Sequence, residues 1–175
     1  MNIFLIGFMG SGKTTIGRII ASKLKRQFVD LDAEIESSAG KSISQIFNDL
    51  GENAFREFES KLLSELCAKD SQIISVGGGA PCFFANMEVM NKSGLTVYLQ
   101  MHPDAILERL WSLPESARLT RPLLANKTKT QVFEFITKSL DIREPFYNKA
   151  QIIISNDTNN VNIAVGRILK AIEYC

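Results

Sequence analysis

Gly7-Phe8-Met9-Gly10-Ser11-Gly12-Lys13-Thr14 fits the pattern G-x-x-x-x-G-K-[ST]. The apolar run Ile3-Phe4-Leu5-Ile6 stands directly before it, and the helix-period series Ile16, Ile19, Ile20, Leu24 follows directly after. In that strand, loop and helix setting, the glycines let the backbone wrap so that successive N–H groups and the helix N-terminus face a phosphate. Lys13 adds a mobile cation, and the Thr14 hydroxyl can ligate Mg²⁺. Glycine makes up only about 7% of average usage, so a chance match in this context is rare. The stretch reads as a nucleotide phosphate site.

Outward from the loop, strand-like runs recur at Phe28-Val29-Asp30-Leu31, Ile73-Ile74-Ser75-Val76, Leu95-Thr96-Val97-Tyr98-Leu99 and Ile152-Ile153-Ile154, with helix-period segments between them. Runs apolar on both faces suit parallel strands covered by helices on both sides. The expected fold is therefore α/β, a three-layer α/β/α sandwich on a five-stranded parallel sheet. Right-handed crossovers put the active site at the carboxyl ends of the strands.

The 175 residues suffice for one domain spanning 1–175, and 45% hydrophobic with 22% charged residues argues against a disordered or fibrous chain. Twenty Lys and Arg against nineteen Asp and Glu leave a net charge of +1, so no global field draws the chain to nucleic acid or an anionic membrane. Near-zero charge without sustained heptads leaves a monomer as the expectation. Cys67, Cys82 and Cys175 are too few and too scattered for a disulfide scaffold, which fits a reducing cytoplasm. The apolar stretch Ile3 to Met9 is too short to span a bilayer and reads as a buried strand.

A helix from about Glu52 to Lys69 carries Phe55, Phe58, Leu62, Leu63 and Leu66 on one stripe, with Glu57, Glu59 and Lys61 off it. A second, from about Thr130 to Tyr147, repeats the pattern with Phe133, Ile136, Leu140 and Tyr147, and Pro145 interrupts its last turn. Arg143 lies on that inward stripe, where a substrate carboxylate would make an apt bidentate partner. Arg56 reads most simply as the i,i+4 partner of Glu52. From Ser112 to Thr130 the periodicity gives way to Pro, Ser, Thr, Asn and charge, which makes about 112–128 a lid candidate. Arg118 and Arg121 lie in it, where an arginine could swing onto a phosphate. His102 and Trp111 read as local structure at helix ends.

Phe28-Val29-Asp30-Leu31-Asp32 closes the second strand, and the period of two places both carboxylates on one face. Asp30 could hold Mg²⁺ through its waters, and Asp32 could orient an acceptor hydroxyl and take its proton. The alternative makes Asp32 a helix N-cap and leaves Asp30 solvated. Gly77, Gly78 and Gly79 remove every Cβ from one segment at a strand's carboxyl end, so a ligand could touch backbone there; a plain flexible turn is the alternative. A motor or switch protein would usually end that strand in a carboxylate, and no Asn-Lys-x-Asp signature selects guanine. Small-molecule phosphotransfer is the leading class.

Taken together, Gly7 to Thr15, Asp30-Leu31-Asp32, Phe55-Arg56-Glu57-x-Glu59, Gly77-Gly78-Gly79-Ala80, Arg121-Pro122-Leu123-Leu124 and Arg143-x-x-x-Tyr147 resemble the shikimate kinase family. The resemblance implies a P-loop, NMP-kinase-like fold with sheet order 2-3-1-4-5, a substrate region at about 32–60 and a closing lid. It implies transfer of the ATP γ-phosphate to the 3-hydroxyl of shikimate, with Mg²⁺ as cofactor, on the route to chorismate and aromatic amino acids. It assigns ATP to Gly10, Ser11, Gly12, Lys13, Thr14 and Thr15, with Arg109 on adenine beside the loop Asn156-Asp157-Thr158-Asn159, and Arg121 on the phosphates. Asp32 is then the base, assisted by Lys13 and Arg121, while Arg56 and Arg143 clamp the shikimate carboxylate and Gly77 to Gly79 donate from backbone. A gluconate or nucleoside-monophosphate kinase of the same fold is the runner-up, and a regulatory nucleotide-binding module without transferase activity is a third reading.

Overall fold

The structure, a computed structural model, describes residues 1–114, 124, 127–157 and 160–173. Five strands, β1 (Asn2–Ile6), β2 (Gln27–Asp30), β3 (Gln72–Ser75), β4 (Gly94–Gln100) and β5 (Ile152–Ser155), pair in parallel throughout. Their order is β2-β3-β1-β4-β5, as expected. Among the described residues the helices are α1 (Lys13–Leu24), α2 (Leu31–Ala39), α3 (Ile43–Cys67), α4 (Asn86–Ser93), α5 (Pro103–Trp111), α6 (Lys129–Tyr147) and α7 (Val161–Ile172). A single 3₁₀ turn, Ala80–Cys82, follows β3.

β1 shows why the layers form. All five of its residues are buried, and the alternation of side chains sends Ile3 and Leu5 to a core with Ile16 and Ile20 of α1 and Val165 and Ile168 of α7. Phe4 and Ile6 face the opposite core, with Phe55 and Leu63 of α3, Ile106 of α5 and Ile136 and Leu140 of α6. Only the outer strands β2 and β5 contain exposed residues. β1 and β3 are neighbours, yet the connection after β1 leads outward to β2 and that after β3 leads to β4 on the far side. Connections leaving in opposite directions open a crevice at the carboxyl ends of the two strands.

Three local expectations are corrected. The second strand stops at Asp30, because the Asp30 carboxylate accepts from the Asp32 amide at 3.2 Å and starts α2 at Leu31. Asp32 therefore lies in the first turn of a helix, and Asp30, not Asp32, is the N-cap. The helix expected from Glu52 begins at Ile43, where Ser42 and Gln45 form a reciprocal capping box, and it bends at Gly51, whose φ of 79° breaks the helical path. Finally, α6 runs through Pro145 to Tyr147, and the Asn148 amide still donates to the Glu144 carbonyl at 2.8 Å. So near the helix end, proline removes one bond, that to the exposed Asp141, without stopping the helix.

α1 packs closely on the sheet at Gly17, where an added Cβ would stand 2.6 Å from the Phe28 ring and 3.1 Å from Leu5. Gly→Ala in a helix ordinarily gains about 0.5–1 kcal/mol, whereas overpacking costs about 1–3 kcal/mol. The clash wins, and Gly17→Ala is expected to lower Tm by about 2–8 °C; a thermal melt that rises would show that Phe28 yields freely.

Candidate active site

Between β1 and α1 the chain turns through residues 7–12, ending at Gly12, the helix N-cap, in the left-handed region at φ 91°. Thr14, in the first turn of α1, donates its hydroxyl to Asp30 Oδ2 at 2.8 Å, with Ser75 Oγ 3.5 Å away. This places a hydroxyl and a carboxylate from two elements side by side, joined by the end of β3, where Ser75 is the register partner of Asp30. Lys13 Nζ donates to the carbonyls of Gly7 and Phe8 at 2.8 and 3.0 Å. Burial holds the Lys13 ammonium down to a pKa of about 8, against the pull of Asp32 and Asp30.

A cavity of about 490 Å³ opens over the loop. Gly10, Gly12, Lys13, Thr14 and Thr15 form its floor-side lining, with Asp30, Asp32, Ser75, Gly77 and Gly78 from the neighbouring strand ends and Met9, Arg109, Leu110 and Leu113 also on its wall. Asp30 and Asp32 thus meet in one cavity although they do not share a strand face. Desolvation, reinforced by the Asp30 charge, raises the Asp32 carboxyl above its ordinary value, the direction a proton acceptor needs. Arg109 also donates to the Gly10 carbonyl at 3.1 Å, and burial lowers its pKa.

The run Gly77 to Gly79 has a more specific role than a bare backbone patch. None of the three takes a positive φ, so the need is for space. A Cβ on Gly77 would lie 2.7 Å from Asp32 Oδ1 and 3.1 Å from Glu59 Oε1; one on Gly79 would lie 2.6 Å from Arg56 Nη2. One on Gly78 would approach Arg143 Nη1 at 3.5 Å and the Tyr147 hydroxyl at 3.6 Å. Two carboxylates, two guanidinium groups and a phenol converge where three side chains are missing.

Arg56 keeps its expected contact with Glu52 at 3.3 Å and adds a shorter pair with Glu59 at 2.8 Å. Three rings surround its guanidinium, Phe83 at 4.3 Å, Phe55 at 5.0 Å and Phe47 at 5.8 Å from their centroids. Glu59, expected to lie off the buried stripe, is 1% exposed. The Gly77 segment and the 3₁₀ turn cover a second side of α3, and desolvation raises the Glu59 carboxyl despite its hydrogen bond to Arg56. Its spacing three residues from Arg56 was the available signal.

Arg143 projects inward as expected, half-buried, over the Phe8 ring at 5.4 Å. Among the described residues no carboxylate forms an ion pair with it; nearby Glu144 instead accepts from Tyr98. Tyr147, one turn on, donates its hydroxyl to the Gly78 carbonyl. Sequence reasoning passed over Ser75; Asn156, expected only as part of the loop beside adenine, is buried and donates to the Ser11 carbonyl. Arg118 and Arg121, Thr158 and Asn159, and Cys175 lie outside the described residues. Of the lid candidate 112–128, Leu113 reaches the cavity wall and Leu124 is buried.

A parallel sheet of this order, with a phosphate loop after β1 and a charged pocket beside it, defines a P-loop kinase of small molecules. Comparison with known proteins sharpens the class. The family model described as shikimate kinase matches residues 9–173. A shikimate kinase of Bacteroides thetaiotaomicron is 44% identical over 157 residues, 90% of this chain and 87% of the relative; one of Parabacteroides distasonis is 42% identical over 95% and 98%. The crystal structure of a shikimate kinase from B. thetaiotaomicron superposes with TM-score 0.93 at 40% identity, covering 99% of this chain and 98% of the other. A shikimate kinase from Acinetobacter baumannii, solved in complex with shikimate, gives 0.85 at 34% identity, covering 99% and 93%. The chain belongs to the shikimate kinase family.

Two outcomes follow from the perturbed groups. A phosphate binds the protonated form of Lys13, so affinity for ADP should weaken about tenfold for each pH unit above about 8, as measured by calorimetric titration. Affinity flat across that range would contradict the buried lysine. Because the folded state raises the Asp32 pKa, ionised Asp32 destabilises the fold above that raised value, and the penalty vanishes below the ordinary 3.8. Asp32→Asn should therefore raise Tm by about 2–4 °C at neutral pH and lose the advantage in acid; an unchanged or lowered neutral-pH melt would refute this.

Proposed function

We propose that this chain transfers the γ-phosphate of ATP to the 3-hydroxyl of shikimate, giving shikimate 3-phosphate and ADP, in the supply of chorismate and aromatic amino acids. The observation that carries the reading is the convergence of Asp32, Arg56 and Arg143 on Gly77 to Gly79 beside the phosphate loop, in a member of the shikimate kinase family. Among the described residues Arg143 meets the Tyr147 hydroxyl but no carboxylate, and the shikimate carboxylate gives its guanidinium a bidentate ionic partner. Arg56 joins it at the neighbouring Gly79, exchanging exposed Glu52 for substrate while retaining Glu59. The backbone of Gly77 to Gly79 supplies donors to the bound acceptor.

The loop amides of Gly10, Gly12, Thr14 and Thr15 and the Lys13 ammonium cradle the phosphates, while the Ser11 amide closes the loop on the Phe8 carbonyl at 3.2 Å. Thr14 and Asp30 would hold Mg²⁺. Their oxygen donors suit a hard cation, and among the described residues no group of three or more His, Cys, Asp or Glu side chains forms a self-sufficient metal cage. The ion, when bound, neutralises charge on the phosphate oxygens. Asp32 orients the 3-hydroxyl and takes its proton as the new O–P bond forms and the bond from Pγ to ADP breaks. Arg121, carried by a lid of about 112–128, neutralises charge on the transferring group, and Arg109 packs on the adenine.

We read the chain as a single domain of residues 1–175 with its substrate region at about 32–60, acting as a cytoplasmic monomer. The described cysteines Cys67 and Cys82 are free, in keeping with a reducing compartment. No described helix is long and apolar enough to cross a membrane.

The deciding assay is ADP release from Mg-ATP with shikimate, gluconate or nucleoside monophosphates as acceptor. Release dependent on shikimate alone is expected; turnover with another acceptor would reassign Arg56 and Arg143. Arg143→Ala should raise the KM for shikimate about 30-fold or more and leave that for ATP within about twofold. Equal effects on both would remove the carboxylate clamp. Glu52→Gln, which frees Arg56 of a competing carboxylate, should lower the KM for shikimate by about two- to fivefold, and a higher KM would make Glu52 a support for the clamp.

A further inference from the structure

A loop that turns its N–H groups toward phosphates turns carbonyls toward the protein, and each buried carbonyl needs a donor. In residues 7–12 those donors can be counted. Lys13 Nζ serves Gly7 and Phe8, the Ser11 amide also serves Phe8 at 3.2 Å, the Ile16 amide serves Gly12 at 2.9 Å, and Arg109 serves Gly10. Ser11, whose residue is wholly buried, receives Asn156 Nδ2 at 2.7 Å from a position 145 residues away in the chain.

We propose that Asn156 is a positioning residue for nucleotide binding, fixing the phosphate loop through the Ser11 carbonyl from the loop that follows β5. Three observations support this. First, the arm that carries it is anchored: the Asn156 amide donates to Gln100 at 2.8 Å, and Asp157 accepts from the His102 amide at 2.6 Å and the Ser155 hydroxyl at 3.1 Å. Second, Asn156 Oδ1 is buried and finds no hydrogen-bond partner among the described residues. An apolar side chain would avoid that penalty, so the donor is what the position uses. Third, Asn156 is itself 2% exposed, so water does not readily replace its bond.

The bond also differs in kind from those of Lys13. Lys13 is a charged group within reach of a phosphate, whereas Asn156 is neutral and buried and meets the loop only from its protein side, at the Ser11 carbonyl. Its product is a loop already shaped for the nucleoside phosphate, independent of the acceptor pocket across the cavity.

The inference rests on the loop's reading as the nucleotide site, so its test separates the two. ADP is titrated calorimetrically into the full chain and into Asn156→Ala, which removes the donor without adding charge, and Asn156→Leu, which removes both polar atoms and keeps the bulk. ADP affinity and the KM for ATP should each weaken about tenfold in both variants, with the KM for shikimate within about twofold. Unchanged ADP affinity in both variants overturns the proposal. So does a parallel rise of both KM values with a falling Tm, the mark of a merely structural side chain; Asn156→Ala decides if Asn156→Leu does not fold. A native chain that binds no ADP would refute the nucleotide reading itself.

Discussion

Because all five strands run parallel, each delivers the chain to the same edge of the sheet, and a strand buried on both faces leaves only that edge free to carry polar work. The phosphate loop leaves β1, the glycine run leaves β3, Asp30 and Asp32 leave β2, and the Asn156 arm leaves β5. Helices on either side seal the faces with two separate apolar cores. The site is thus assembled from residues far apart in sequence without any long excursion of the chain.

Crowding several charges at such an edge is expensive unless they offset one another. Arg56 is matched by Glu59 and Glu52, Lys13 lies within the fields of Asp32 and Asp30, and Tyr147 spends its hydroxyl on the Gly78 carbonyl. Arg143 has no such carboxylate among the described residues. The balance is possible only because Gly77 to Gly79 surrender the volume in which these groups meet. The missing side chains act as a mould whose shape is fixed by what surrounds it.

Much of this was legible in the sequence because its signals are local. The phosphate loop announces itself by pattern and setting, strands by continuous apolar runs, and Arg143 by standing on an apolar stripe. What was not legible depends on neighbours that sequence spacing does not name. Glu59 looked solvent-facing because a helix was expected to bury one stripe, whereas α3 is covered on two sides. The role of Asp30 as a cap, which ends β2 one residue before Leu31, hid behind a strand alternation that seemed to continue through Asp32. Gly51 sits at a bend within a helix whose capping signal, Ser42 with Gln45, had gone unread. Asn156 entered only through the resemblance, as part of the loop beside adenine, and its bond to the phosphate loop left no local mark because the partner lies 145 residues away.

The resting contacts of Lys13 bear on selectivity as well as affinity. Two of its three ammonium donors are held by backbone carbonyls, so the charge sits at a fixed point of the loop with one N–H left over. Fixed in this way, the cation adds to the loop amides as one more preset donor rather than as a swinging arm. A chain of phosphates can meet several such donors at once, and a single-point anion cannot, so the tether favours the longer ligand.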